Sequence, residues 1–190
     1  MLFLVENCFH WIGFHVVDFL LENGHRVDGM DDMSTDKKEH LSMFVGRNEL
    51  FTHVTETERE TAYDTTITIR KDDELVLTLN NGSTTKINFP LVYGKWMPME
   101  PEGMYYNNQF IRFNSDHFLS EAVYIEDVLQ SLIQWVKSSN LSPVLEVKSI
   151  HEKHRENKKL ENSIFIRNNR PIKENVNIVI NHYETYKNFY

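Results

Sequence analysis

The first thirty residues constrain the fold more than any other part of this chain. Leu2 to Val5 is a short continuous apolar run, the pattern of a strand buried on both faces. After it Trp11, Ile12, Val16, Phe19 and Leu20 recur at helical spacing, with Asp18, Glu22 and Asn23 on the other side and Gly24 at the place of a C-terminal cap. His25 to Met30 reads as a second strand, closed by Asp31-Asp32. Strand, helix and strand in so short a span predict a right-handed parallel βαβ unit.

Further along, Ser34 to Phe44 reads as a loop and short helix, and Leu50 to Thr55 as a third strand. Glu56 to Asp64 is charged and without periodicity. From Thr65 the period drops to two: Ile67 and Ile69, then Leu75, Leu77 and Leu79, then Ile87 and Phe89, with Asn80-Asn81-Gly82 as a turn signal. A β-hairpin or small meander is therefore expected as an insertion in an α/β chain. Ala122 to Ile125 is a short strand leading into a helix with Val128, Leu129, Leu132, Ile133 and Val136 inside. His151 to Glu161 is a charge-rich connector, and Val176 to Phe189 suits a terminal helix.

Composition narrows the function classes. The chain has 190 residues, 28 acidic against 20 basic, and a net charge of -8, which speaks against nucleic acid or an anionic membrane as partner. A single cysteine, Cys8, excludes an internal disulfide and a cysteine metal cluster. The apolar start is interrupted by Glu6 and has no basic flank, so no signal peptide is read, and a cytoplasmic location is expected. Glycine numbers only 7, about half the usual share of roughly 7%. Phosphate loops, which depend on glycine, are short of material.

Several stretches carry a family resemblance in the same chain order. Glu6-Asn7-Cys8-Phe9-His10-Trp11-Ile12-Gly13-Phe14-His15 resembles the T-G-x-x-G-F-I-G-S-H of the extended short-chain dehydrogenase/reductases, the NAD-dependent epimerase/dehydratase branch. Asp31-Asp32-Met33-Ser34-Thr35 is similar to that family's acidic residue and following serine-threonine stretch. Phe89-Pro90-Leu91-Val92-Tyr93-Gly94 resembles its L-P-x-V-Y-G element, and Ala122 to Val128 its F-I-Y-V-x-D-V element. Tyr183 to Tyr190 is similar to its last helix. The resemblance implies a truncated Rossmann-like parallel sheet with an inserted hairpin or meander and a small C-terminal α/β portion. It divides the chain into a Rossmann-like remnant at 1–90 and a remnant of the substrate side at 91–190.

The departures from that family carry the functional expectation. Its fingerprint uses one glycine for a tight turn, a second for close approach of the pyrophosphate and a third for helix packing. Those positions are Asn7, His10 and Gly13, so a histidine ring, with Trp11 and Phe14 beside it, is expected where phosphates would lie. Asp31 matches the residue that holds the adenosine ribose, and reads equally as a loop cap. About sixty residues separate Asp31 from Tyr93, too few for several βα units. The family's catalytic Tyr-x-x-x-Lys helix belongs in that gap, and no such pair lies there. The one Tyr-x-x-x-Lys of the chain, Tyr183 and Lys187, lies in the terminal helix, where it reads as a chance match.

On the substrate side the resemblance implies vestigial cleft positions at Tyr93, Gly94, Lys95 and Ser120, the last replacing an arginine that clamps a diphosphate. His151 and His154 have a metal-like spacing but sit among Lys153, Arg155, Lys158 and Lys159, so no metal is expected. Trp96, Met97, Met99, Met104, Tyr105 and Tyr106 form either an exposed patch for a protein partner or packing over the sheet. The alternating strands at Ile67 to Phe89 could pair edge to edge in a homodimer. The expectation is a catalytically inactive binding or structural module, with no cofactor, or NAD or NADP if any. A residual nucleotide-sugar epimerase or NAD(P)-binding oxidoreductase is the alternative.

Overall fold

The computed structural model describes residues 1–55, 62–138, 141–151 and 162–190. They form two compact units, Met1–Lys86 and Ile87–Tyr190. In the first, β1 (Leu2–Glu6), α1 (Trp11–Glu22), β2 (Arg26–Met30), α2 (Asp36–Val45) and β3 (Phe51–His53) follow one another. β1 pairs parallel with β2 from Leu2 opposite Arg26 to Glu6 opposite Met30, and β2 pairs parallel with β3. Phe3, Leu4 and Val5 are all buried, as their unbroken apolar run requires. α1 is rich in β-branched and aromatic residues, poor helix formers by themselves. Its stability comes from the buried face carrying Ile12, Val16, Val17 and Leu20. It ends where Asn23 and Gly24 turn back on Phe19 and Leu21, Gly24 taking φ 74°.

The expected hairpin is present as a meander that extends the sheet itself. β4 (Thr65–Lys71) pairs parallel with β1, Phe3 opposite Thr65 to Glu6 opposite Thr68, and β5 (Glu74–Leu79) runs antiparallel to β4. β6 (Thr84–Asn88), whose last two residues belong to the second unit, follows beside β5. The turn between them is the one read at Asn80-Asn81-Gly82: Leu79 N–H bonds Ser83 O at 2.9 Å and Gly82 takes φ 82°. The resulting order β3-β2-β1-β4-β5-β6 is that of a doubly wound sheet in which hairpins replace the last helical crossovers. Since β4 and β5 each have a neighbour on both sides, neither offers a free edge, and the dimer expected through those strands is not available to them.

The second unit holds elements that the sequence reading passed over. β7 (Val92–Tyr93) pairs parallel with β11 (Val123–Tyr124), which opens directly into α4 (Ile125–Lys137). Between them β8 (Met99–Glu100), β9 (Gly103–Tyr106) and β10 (Gln109–Arg112) form an antiparallel sheet, followed by α3 (Asp116–Glu121). β9 and β10 meet through Asn107 and Asn108, both at positive φ, the conformation that a two-residue hairpin loop demands. β12 (Val144–Ser149) and β13 (Ser163–Ile166) pair parallel, and α5 (Ile172–Tyr186) with a 3-10 turn at Lys187–Phe189 ends the chain, starting four residues before the expected helix. Trp96, Met97, Met99 and Met104 are buried, so this stretch is packing and not an exposed patch. Only Tyr105 of the group is well exposed. Trp96 lies against His182, Tyr186 and Tyr190, stacked on the last at 5.4 Å. Most of the charged segment 56–64, and His154 of the histidine pair, lie outside the described residues.

Candidate functional site

In an open α/β sheet the ligand crevice lies beyond the carboxyl ends of the strands where their order turns, here the loop from Glu6 to His10. Asn7 takes φ 57°. Asparagine is among the few residues that tolerate this conformation, so the tight turn forms here without a glycine. Its amide Nδ2 also donates to Ile69 O at 2.6 Å, tying the loop to β4. A Cβ on Gly13 would lie 2.2 Å from Asn7 O, so close helix-loop packing still demands glycine there. The tight turn and the close helix-loop contact are thus both present.

His10 is the N-cap of α1, its Nδ1 accepting from Ile12 N–H at 3.3 Å. Its Nε2 faces Asp72 Oδ1 at 3.3 Å, and Trp11 Nε1 donates to the same oxygen at 2.6 Å. The tautomer that suits both partners of His10 carries its proton on Nε2. Phe14 points elsewhere, edge-on to Phe44 of α2 at 6.1 Å. None of these three rings lines the crevice.

A cavity of about 540 Å³ remains open there, lined by Glu6, Asn7, Met30, Asp31, Asp32, Val54 and Thr55. The side chain of Asp31 is only 3% exposed. Its Oδ2 accepts from Phe9 N–H at 2.9 Å, and its Oδ1 from Asp32 N–H at 2.8 Å and Lys38 Nζ at 2.7 Å. Of the two readings of Asp31, the loop cap describes its bonds. Hydrogen bonds from Lys38 and then Ser34 pull the Asp32 carboxyl down to about 2. Burial lowers Lys38, but its bonds to Asp31 and Asp32 outweigh that and leave it raised. Glu6 accepts from Thr68 Oγ1 at 2.6 Å. Three carboxylates thus face a cavity where a dinucleotide would bring negative phosphates. Cys8 lies beneath, its thiol pushed up by burial and by Asp31.

In the second unit the expected cleft positions do not converge. Tyr93 is fully buried against Phe118 and Tyr124, its hydroxyl near the Asn175 amide, and burial pushes its pKa up. Gly94 N–H bonds Met97 Sδ at 3.4 Å, Lys95 is half-buried, and Ser120 Oγ bonds His117 O of its own helix at 3.1 Å. A smaller crevice of about 170 Å³ is lined by Tyr124, Glu126, Asp127, Gln130, Asn169, Arg170 and Asn175, none of them a predicted site residue. Asp127 is held there by Asn169 through its backbone N–H at 3.3 Å and Nδ2 at 2.7 Å. Lys187 Nζ sits 5.9 Å above the ring of Tyr183, a cation-π arrangement rather than a bond to the hydroxyl. Among the described residues no group of three His, Cys, Asp or Glu could hold a metal, and no helix is long and apolar enough to cross a membrane.

Asp72 is the residue that sequence reasoning missed. The parallel pairing of β4 with β1, together with the turn from β4 to β5, brings it to the start of α1.

No protein-family model and no curated protein matches the chain. Solved structures do. A UDP-glucuronic acid 4-epimerase from Bacillus cereus, in complex with UDP-glucuronic acid and NAD, aligns over 97% of this chain and 99% of its own, with TM-score 0.57 and 10% identity. The same enzyme in complex with NAD aligns over 98% of each chain, with TM-score 0.53 and 11% identity. A UDP-glucose 4-epimerase from Thermotoga maritima, with UDP-glucose, gives TM-score 0.48 at 12% identity over 97% of this chain and 99% of its own. At such identities the likeness is one of fold: a mixed α/β, Rossmann-like architecture shared with NAD-dependent sugar-nucleotide epimerases.

Proposed function

We propose that this chain is a shortened, degenerate relative of the NAD-dependent epimerases that has given up dinucleotide chemistry and acts as a binding or structural module. The observation that carries this reading is Asp31. The carboxylate in the place of the ribose ligand is only 3% exposed and already accepts from Phe9 N–H, Asp32 N–H and Lys38, three of about four acceptor sites, which leaves little of it for a sugar. The His10 cap on Ile12 N–H and the acidic lining of the cavity act in the same sense. No tyrosine before β7 has a lysine four residues on, so no proton-transfer pair stands where the epimerase frame needs one. In this reading Asn7, His10, Gly13 and Asp31 are vestigial cofactor positions and Tyr93, Gly94, Lys95 and Ser120 vestigial cleft positions. The partner is a protein or a second copy, and the compartment the cytoplasm.

Thermal denaturation with millimolar NAD tests it. The midpoint should not move, whereas a rise of several degrees would show a working pocket. The open cavity favours a second reading, a retained nucleotide-sugar or NAD(P) site. Turnover of a nucleotide-sugar panel that vanished in Tyr183→Phe would establish that reading and overturn the first.

A further inference from the structure

The two departures from the doubly wound pattern, the lost glycine at His10 and the hairpin in place of a crossover, meet at one atom. Lys71 pairs with Glu74, so Asp72 and Asp73 form the loop between β4 and β5, and the pairing slips between Ile69 and Lys71. That slip is a bulge, which bends and re-aims a strand end. Because β4 is parallel to β1, its carboxyl end and this loop stand beside the carboxyl end of β1 and the start of α1. There Asp72 Oδ1 takes Trp11 Nε1 at 2.6 Å and His10 Nε2 at 3.3 Å, with Lys37 of α2 adding its positive field. Two aromatic N–H groups and a cation around one anionic oxygen are the donor set a bound phosphate would receive, added to the positive end of a helix of 12 residues.

We infer that Asp72 is an intramolecular stand-in for an anionic ligand: the β4–β5 loop is a latch that closes the start of α1 by seating its own carboxylate there. This rests on the reading that the chain no longer takes a dinucleotide, and it names the group that stands at the start of α1 instead of a bound anion. Asn7 Nδ2 on Ile69 O is the second fastening of the same latch. The inserted hairpin and the histidine at the second glycine position then form one device. Without the hairpin His10 Nε2 and Trp11 Nε1 have no acceptor, and without His10 and Trp11 the loop has no anchor.

The experiment compares the whole chain with its Asp72→Ala and Asp72→Asn variants, using inorganic pyrophosphate as probe and thermal denaturation with tryptophan fluorescence as readouts. The unaltered chain should ignore the probe. Asp72→Ala, which empties the place and leaves His10, Trp11 and Lys37 facing it, should gain a midpoint rise of several degrees at millimolar pyrophosphate. Asp72→Asn removes the charge and keeps an oxygen for Trp11, and supplies the same reading, with a smaller rise, if Asp72→Ala does not fold. Folded variants that remain indifferent to pyrophosphate overturn the latch and leave the proposed function untouched. Stabilisation of the unaltered chain by pyrophosphate also overturns the latch, and stabilisation of that chain by NAD overturns the proposed function.

Discussion

The two halves of the sheet in the first unit solve the same problem differently. From β1 to β3 the strands are parallel and joined by α1 and α2, and the interior of β1 is buried without a break at Phe3, Leu4 and Val5. From β4 to β6 hairpins make the connections, and β4 alternates between buried Thr65, Ile67 and Ile69 and half-buried Thr66 and Thr68. A parallel crossover needs a dozen or more residues, a hairpin needs two. Within one continuous sheet, helical crossovers order the strands on one side and hairpins order them on the other.

That contrast can be pressed by mutation. The largest effect belongs to the helical half. Gly13→Ala drives a methyl into Asn7 O at 2.2 Å and should cost about 3 kcal/mol in urea denaturation. Asp31→Ala leaves Phe9 N–H without its acceptor and Lys38 with Asp32 alone, and should cost about 2 kcal/mol, with no compensating gain in NAD affinity by calorimetry. Lys37 is brought down to about 8 by burial, against which Asp72 acts only in part. A base with a lowered folded value destabilises the fold below that value, and the penalty fades as pH rises from about 8 towards its unfolded value of 10.5. Stability of the unaltered chain should therefore climb over that window. Lys37→Met should flatten the climb and add on the order of 2 kcal/mol at neutral pH. In the hairpin half, Gly82→Ala meets no atom within 4 Å and suffers only from φ 82°, for a loss of about 1 kcal/mol. Equal losses for Gly13→Ala and Gly82→Ala would remove the distinction between packed and merely bent positions.

What could be read from the sequence was whatever depends on neighbours along the chain. The apolar run of β1, the helical spacing of α1, the Gly24 stop and the Asn80-Asn81-Gly82 turn are local, and each stands where periodicity puts it. The place of β4 beside β1 is a long-range pairing that alternation alone cannot reveal, and so the hairpin reads as an insertion. Asn7 misleads for a different reason. By residue type it departs from the glycine that the resemblance leads one to expect, while its backbone makes the tight turn all the same. The opposite happened at Asn107-Asn108, where two adjacent asparagines between aromatic residues carried a hairpin signal that went unused. At the site, Asp31 was legible down to its alternatives, whereas Asp72 was not, because its partners lie 61 and 62 residues away in the chain.

Cys8 turns the comparison of halves into something that can be timed. It is the one thiol of the chain, fully buried, packed so tightly under Gly29 that an added Cβ there would come within 2.9 Å of its sulfur. Burial also keeps the thiolate scarce. An alkylating reagent can reach it only when the helix-linked half opens, so the labelling rate in native buffer is a clock for that opening alone. Run alongside amide exchange in β5 and β6, the clock reports whether the two halves breathe together or in turn.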